Sequence, residues 1–108
     1  MNAAAQARRR RNGRNETPEA RRRWTLKKLY GMTQADYDAL LVSQDGKCAI
    51  CQTDSPGGPG NKFHVDHDHA TGRVRGLLCH HCNTGLGNLY DDPVRLRAAL
   101  RYLEVSGF

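Results

Sequence analysis

The sequence predicts a small α+β domain, two short strands with flanking helices, stapled by a structural metal ion and preceded by a basic arm. Three observations lead there. Two Cys-x-x-Cys pairs, Cys48/Cys51 and Cys79/Cys82, are separated by 27 residues. Between them lie two short extended runs joined by a polar loop. The charge is also segregated. Of the net +6 carried by 108 residues, the first 23 hold eight arginines against two glutamates, while residues 24–108 hold nine cations and nine anions.

The elements follow in order. Residues 1–23 contain no Leu, Ile, Val or Phe. Nothing there can build a core, so an Arg-rich disordered arm is expected over 1–21, with the folded domain at 22–108. Trp24, Leu26, Leu29 and Tyr30 open an amphipathic pattern, predicting a short helix from Arg21 that ends at Gly31. Trp24 could stack on a base, but packing onto the core is the expected role. Thr33 is a helix N-cap with Asp36 three residues on, and Tyr37, Leu40 and Leu41 share one face before Asp45-Gly46 turns the chain. Residues 52–62 read as a loop. Phe63–His67 and Val74–Leu78 read as strands of a hairpin. A helix is expected after Cys82, weakened by Gly85 and Gly87 at about 1 kcal/mol each. The last helix is better marked: Asp92 caps it, Pro93 takes its first turn, and Leu96, Leu100 and Leu103 recur on one face. Such a stripe is more often core than a dimer interface.

These features exclude several classes. The length suits one domain. No apolar run approaches the roughly 18–20 residues of a membrane helix. The basic N-terminus is followed by no apolar segment of a secretory signal, so a cytoplasmic setting with reduced thiols is expected. A domain of about 85 residues buries little surface and commonly needs a staple.

The cysteines supply it. Each Cys-x-x-Cys turn points two thiolates at one ion, and two turns complete a tetrahedron. Zn2+ bound by four thiolates has no open position, so its role is structural. Disulfides or free thiols are the competing reading, disfavoured in a reducing compartment. His80 and His81 lie inside the second pair and could replace a cysteine ligand, but are more naturally solvated knuckle positions.

His64-Val65-Asp66-His67-Asp68-His69 holds three histidines and two aspartates in six residues. A polar hairpin loop would account for the composition alone. Its place between the cysteine pairs, with Asn83 directly after Cys82, instead puts a carboxylate, imidazoles and a carboxamide on one rigid scaffold.

The pattern Cys48-Ala-Ile-Cys51, then Val65-Asp66-His67-Asp68-His69-Ala-Thr-Gly72-Arg73-Val-Arg75-Gly76-Leu-Leu-Cys79-x-x-Cys82-Asn83, resembles the recombination endonuclease VII family, a branch of the HNH or ββα-metal (His-Me finger) nucleases. The segment from Leu26 through Leu41 resembles it too. The resemblance spans about residues 22–90 and leaves out the arm. It implies a metal-dependent DNA endonuclease in which Asp66 and Asn83 bind a catalytic Mg2+, with Mn2+ able to substitute. His67 is then the general base and His69 a second functional histidine. Oxygen ligands and retained waters suit Mg2+, and an imidazole suits proton transfer near neutral pH. Some relatives carry an acidic residue shortly after the asparagine; here no carboxylate follows until Asp91, so a third protein ligand is not implied.

DNA, duplex or branched, is the expected partner, with Holliday-junction resolution as one activity and a homodimer as a candidate state. The arm, Arg21, Arg22, Arg23, Lys27, Lys28, Arg73 and Arg75 are the candidate DNA-binding residues, since clustered cations neutralise phosphates and release counterions. The setting expected is the cytoplasm of a bacterial or phage-infected cell. Two alternatives stand beside this reading: a zinc-dependent DNA-binding module without catalysis, and an HNH nicking subunit of phage packaging machinery. The trio Asp66, His67 and Asn83 favours the enzyme.

Overall fold

Thr17 sets where the first described helix begins. Its hydroxyl accepts from the Ala20 amide at 3.1 Å, Pro18 occupies the first helical turn and Glu19 suits the positive end of the dipole. Helix α1 therefore runs Pro18–Tyr30, three residues earlier than the hydrophobic pattern predicts. The last residues of the expected arm are thus helical. The computed structural model describes residues 17–106, and the arm reading for residues 1–16 lies outside them. Gly31, left-handed at φ 65°, ends α1.

Two side chains of α1 depart from expectation. Trp24 is 60% exposed and does not join the core. Arg22 is half-buried: its Nε donates to Gln34 Oε1 at 2.9 Å and its guanidinium lies 4.3 Å above the Tyr37 ring. Arg22 thus ties α1 to the next helix and is not a cation free for DNA.

Helix α2, Gln34–Ser43, carries a full capping box: Thr33 Oγ1 accepts from the Asp36 amide at 3.0 Å and Asp36 Oδ2 from the Thr33 amide at 2.9 Å. Buried Tyr37 donates its hydroxyl to the Phe63 carbonyl at 2.7 Å, and burial pushes its pKa up. That bond anchors the entry to the hairpin. Gln44, just past α2, does the same for the far strand. Its amide nitrogen donates to the Leu77 carbonyl at 3.0 Å while its oxygen accepts from the Leu77 amide at 2.9 Å. Gly76 makes room for this, because a Cβ there would sit 3.3 Å from Gln44 Oε1.

Strands β1, His64–His67, and β2, Val74–Leu78, form an antiparallel two-stranded sheet. His64 pairs with Leu78, Val65 with Leu77 and Asp66 with Gly76, but His67 pairs with Val74. Arg75 is the extra residue of a β-bulge. In the hairpin loop, Asp68 Oδ1 accepts from the Ala70 and Thr71 amides at 2.8 and 3.1 Å, which lowers its pKa. Asp68 organises the turn.

Helix α3, His80–Asn88, starts two residues before Cys82, because Cys79 caps it and the second cysteine pair forms its first turn. It holds Gly85 and Gly87 in its interior despite their low propensity. Helix α4, Pro93–Val105, starts as read, with Asp92 accepting from the Val94 amide at 3.0 Å. Its stripe is not core. No residue of α4 is buried, and Leu100 and Leu103 are 56% and 43% exposed.

Leu26, Met32, Tyr37, Phe63, Leu77 and Leu78 form the core together with Cys48 and Cys79. A fully buried aliphatic or aromatic side chain contributes about 1.5–3 kcal/mol, so six of them make a thin core for a chain this long, and two of its eight members are cysteines. No helix among the described residues is long and apolar enough to cross a membrane.

Candidate functional site

The two Cys-x-x-Cys turns face each other across the start of α3. Among the described residues, Cys48, Cys51, Cys79 and Cys82 form the one group of metal-ligating side chains, each sulfur within 4.8 Å of the others. In both turns the first thiol accepts from its own backbone: Cys48 Sγ from the Ile50 amide two residues on and Cys79 Sγ from the Cys82 amide three residues on, each at 3.4 Å. Cys51 and Cys79 sulfurs stand 3.7 Å apart. His80 and His81 stay outside the group. The loop over residues 52–62 closes on His80, whose amide donates to the Pro56 carbonyl at 2.8 Å. Gly58 lets the His80 ring approach, since a Cβ there would fall 2.5 Å from Cγ.

The thiols constrain one another. Burial works against ionising Cys48, yet hydrogen bonds from the Cys79, Cys51 and Ile50 backbone lower its pKa to about 6. Burial and the neighbouring thiols push Cys82 up to about 12. Four thiolates this close ionise together only with a cation among them. The donor set therefore fits a metal ion.

A separate polar cleft of about 240 Å³ is lined by Tyr30, His64, Val65, Asp66, His67, His69, Asn83, Gly87 and Asp91. All four residues singled out as catalytic, Asp66, His67, His69 and Asn83, are among them. Adjacent residues of a regular strand face opposite sides. Here all four residues of β1 line the cleft, which therefore runs along the strand, and the ladder is irregular between Asp66 and His67. The His67 ring sits 5.3 Å from Tyr30 and 4.7 Å from His69, centroid to centroid. Asn83 comes from the first turn of α3, its amide bonded to the Cys79 carbonyl at 3.0 Å. The cysteine cluster thus fixes where Asn83 stands.

Asp66 is not free. Arg75 Nε and Nη2 donate to its two oxygens at 2.7 and 2.9 Å, and Nη2 also reaches Asp91 Oδ2 at 3.1 Å. The bulge aims Arg75 across the hairpin into this contact, and the pairing with Asp66 raises the Arg75 pKa. Arg75 was expected to face DNA; here it bridges two carboxylates. Arg73 is exposed in the loop, and Arg21, Arg23, Lys27 and Lys28 lie on the exposed side of α1.

Asp91 is the residue the pattern missed. Its Oδ2 lies 3.3 Å from His69 Nε2 as well as against Arg75. A Schellman turn after α3 delivers it: the Asp91 amide bonds to the Leu86 carbonyl at 2.8 Å and the Tyr90 amide to the Gly87 carbonyl at 3.0 Å. Tyr90 and Asp91 have φ of 61° and 54°, a left-handed pair disfavoured for non-glycine residues, and such strain clusters at functional sites. Asp66, Asn83 and Asp91 all line this cleft.

Comparison with known proteins agrees with this geometry. A sequence profile described as recombination endonuclease VII matches residues 22–105. The gene 59 protein of Mycobacterium phage D29 is 45% identical over 75 residues, covering 68% of this chain and 44% of that protein. That of Mycobacterium phage L5 is 43% identical over the same shares. The chain thus spans less than half the length of these curated relatives. Among solved structures, the ββα-Me type II restriction endonuclease Hpy99I superposes with a TM-score of 0.52 at 30% identity, over 68% of this chain and 40% of that one. The hairpin β1–β2 followed by α3 is the ββα unit of that fold, and the chain belongs to the recombination endonuclease VII family.

Proposed function

We propose that the chain is a metal-dependent DNA endonuclease of the HNH, ββα-metal type, with Zn2+ in the cysteine cluster and Mg2+ at the polar cleft. One observation carries the reading. Asp66, His67, His69 and Asn83, drawn from a strand, a loop and a helix, line one cleft beside a four-thiol cluster. Sulfur ligands at about 2.3 Å from a tetrahedral centre lie about 3.8 Å apart; the observed 3.7 Å suits zinc. Asp66 and Asn83 would hold Mg2+, with Asp91 as a third oxygen donor in reach. When bound, that ion supplies Lewis-acid stabilisation of charge on the phosphate and the leaving 3′ oxygen.

The chain's own groups supply the rest. His67 takes the proton of the attacking water, its ring oriented by Tyr30 and His69. His69, 74% exposed and beside Asp91, is placed to meet the phosphate or orient water. Arg23, Lys27, Lys28, Arg73 and the arm provide phosphate contacts. Linear duplex and four-way junctions are both substrates to test. The exposed Leu100 and Leu103 of α4 support a homodimer, the state that symmetric cutting of two strands would favour. The phage relatives support a setting in the infected bacterial cytoplasm.

The Arg75–Asp66 pair favours a second reading, a DNA-binding module without catalysis, because Asp66 is already neutralised. His67→Ala separates the two. With normal zinc content and fold, the enzyme reading expects Mg2+-dependent cleavage to fall by about 10²–10⁴-fold. Unchanged cleavage in that variant removes His67 as base, and no cleavage by either protein favours the binding module.

A further inference from the structure

An exposed indole on α1 is left unexplained by the metal chemistry. Trp24 is 60% exposed and lines a surface cleft with Arg23, Lys27 and Lys28. An aromatic face among three cations is a poor protein-packing surface and a good complement to a nucleic-acid strand. Cations hold phosphates, and the ring stacks on a base.

The helix also gives this cleft a direction. Arg23, Lys27 and Tyr30 follow the i, i+4, i+7 spacing of one helix face. Tyr30 ends that row against the His67 ring at 5.3 Å. Trp24 and Tyr30 are about six steps apart along the helix, a rise of about 9 Å. That is a few nucleotides of a strand whose phosphate lies at His67, at about 3.4 Å per nucleotide when stacked and more when extended.

We propose that Trp24 is a stacking platform for an unpaired base of the DNA strand that enters the cleft, with Arg23, Lys27 and Lys28 gripping its phosphates. Resting on the nuclease reading, this narrows the substrate to DNA with unpaired nucleotides beside the cut, as at branches, flaps or gaps. In a continuous duplex both faces of every base are covered by neighbours, so the indole finds no partner there. Duplex meets the cations alone.

The chain has one tryptophan, so its emission reports this site without labelling. The test titrates the full, metal-loaded chain, without added Mg2+, with oligo-dT, with a linear duplex and with a four-way junction carrying a single-stranded flap. Binding is followed in parallel by anisotropy of labelled DNA. Oligo-dT and the flapped junction should quench Trp24, while the duplex binds with little quenching. Trp24→Ala should weaken oligo-dT binding about tenfold and duplex binding less than about twofold, with Trp24→Phe close to the native chain. Equal quenching by duplex, no quenching by bound oligo-dT, or equal weakening of both DNAs in the alanine variant overturns the proposal. So does an emission change with protein concentration alone, which means a second copy covers the ring. Cleavage is scored separately. A chain that stacks but does not cut retains this surface and loses the nuclease reading, while one that cuts without stacking does the reverse.

Discussion

The cysteine cluster and the carboxylate cleft flank the same strand pair and are built in opposite ways. The cluster is tight and inward: two of its thiols are buried core members, and each knuckle is set by its own backbone amides. The cleft is open and already charge-balanced, with Asp66 held by Arg75, and Arg75 shared with Asp91. A cation at the thiols relieves repulsion and replaces missing hydrophobic core. A cation at the cleft must instead displace or tolerate a guanidinium. On the proposed reading the first arrangement serves stability and the second exchange, so the two regions should respond differently to the same perturbation.

The largest expected effect lies on the cluster side. Stripping the thiol-bound ion with a strong chelator, or changing Cys48→Ser, should abolish the cooperative thermal transition, because structural zinc contributes about 10 kcal/mol or more in small domains. Circular dichroism checks it, and a retained sharp transition breaks the comparison at its root. On the cleft side, Asp66→Asn should leave the melting curve nearly unchanged yet lower Mg2+-dependent cleavage by about 10³-fold; a collapse of the fold would show that the cleft too is a structural element.

A third experiment should leave both regions intact. Truncation after residue 16 removes five arginines and spares the Thr17 cap. DNA affinity at low salt should fall by about a hundredfold, and the slope of log affinity against log salt should flatten by up to about 0.9 per lost phosphate contact. An unchanged slope, measured by anisotropy, means the arm does not touch DNA.

Smaller still is the effect that sharpens the cleft. Arg75→Gln removes the competing cation, so Mn2+ binding followed by calorimetry should tighten by about tenfold, a coupling of about 1.4 kcal/mol. Weaker binding would make Arg75 a support for Asp66 rather than its competitor. The smallest concerns α3, which joins the two regions. Gly85 sits in the helix interior with open space where a Cβ would go. Gly85→Ala should stabilise by about 0.5–1 kcal/mol, read as a raised melting temperature.

What the sequence made legible tracks how local each signal is. The capping box at Thr33, the Asp92 cap and the second strand are settled by neighbours a few residues apart, and they stand where read. The gathering of Asp66, His67, His69 and Asn83 is readable because the cysteine pairs bracket the first three and Asn83 directly follows Cys82. Three features were not. The start of α1 hung on one cap, Thr17, outside any hydrophobic pattern. Asp91 reaches the cleft through a left-handed turn that nothing in Tyr90-Asp91 announces, since glycine is the usual marker. The Arg75 contact depends on a one-residue bulge, and a shift of one residue moves a side chain to the other face. Trp24 and the α4 leucines were misplaced for a further reason. An amphipathic stripe says that a face is apolar, not that this chain covers it.

Gln44 carries a consequence of its own. A two-stranded ribbon offers its outer edges to any passing extended chain, and this one is rich in Val and Leu on β2. The Gln44 amide takes both hydrogen-bonding groups of Leu77, while the Ala49 amide adds a bond to the same carbonyl at 3.1 Å. The side chain thus mimics one residue of a third strand and ends the sheet there. The edge is thus closed by two residues from outside the sheet: a glutamate at position 44 would still accept from the Leu77 amide but would lose the donor to its carbonyl, leaving the Ala49 amide alone to hold that group.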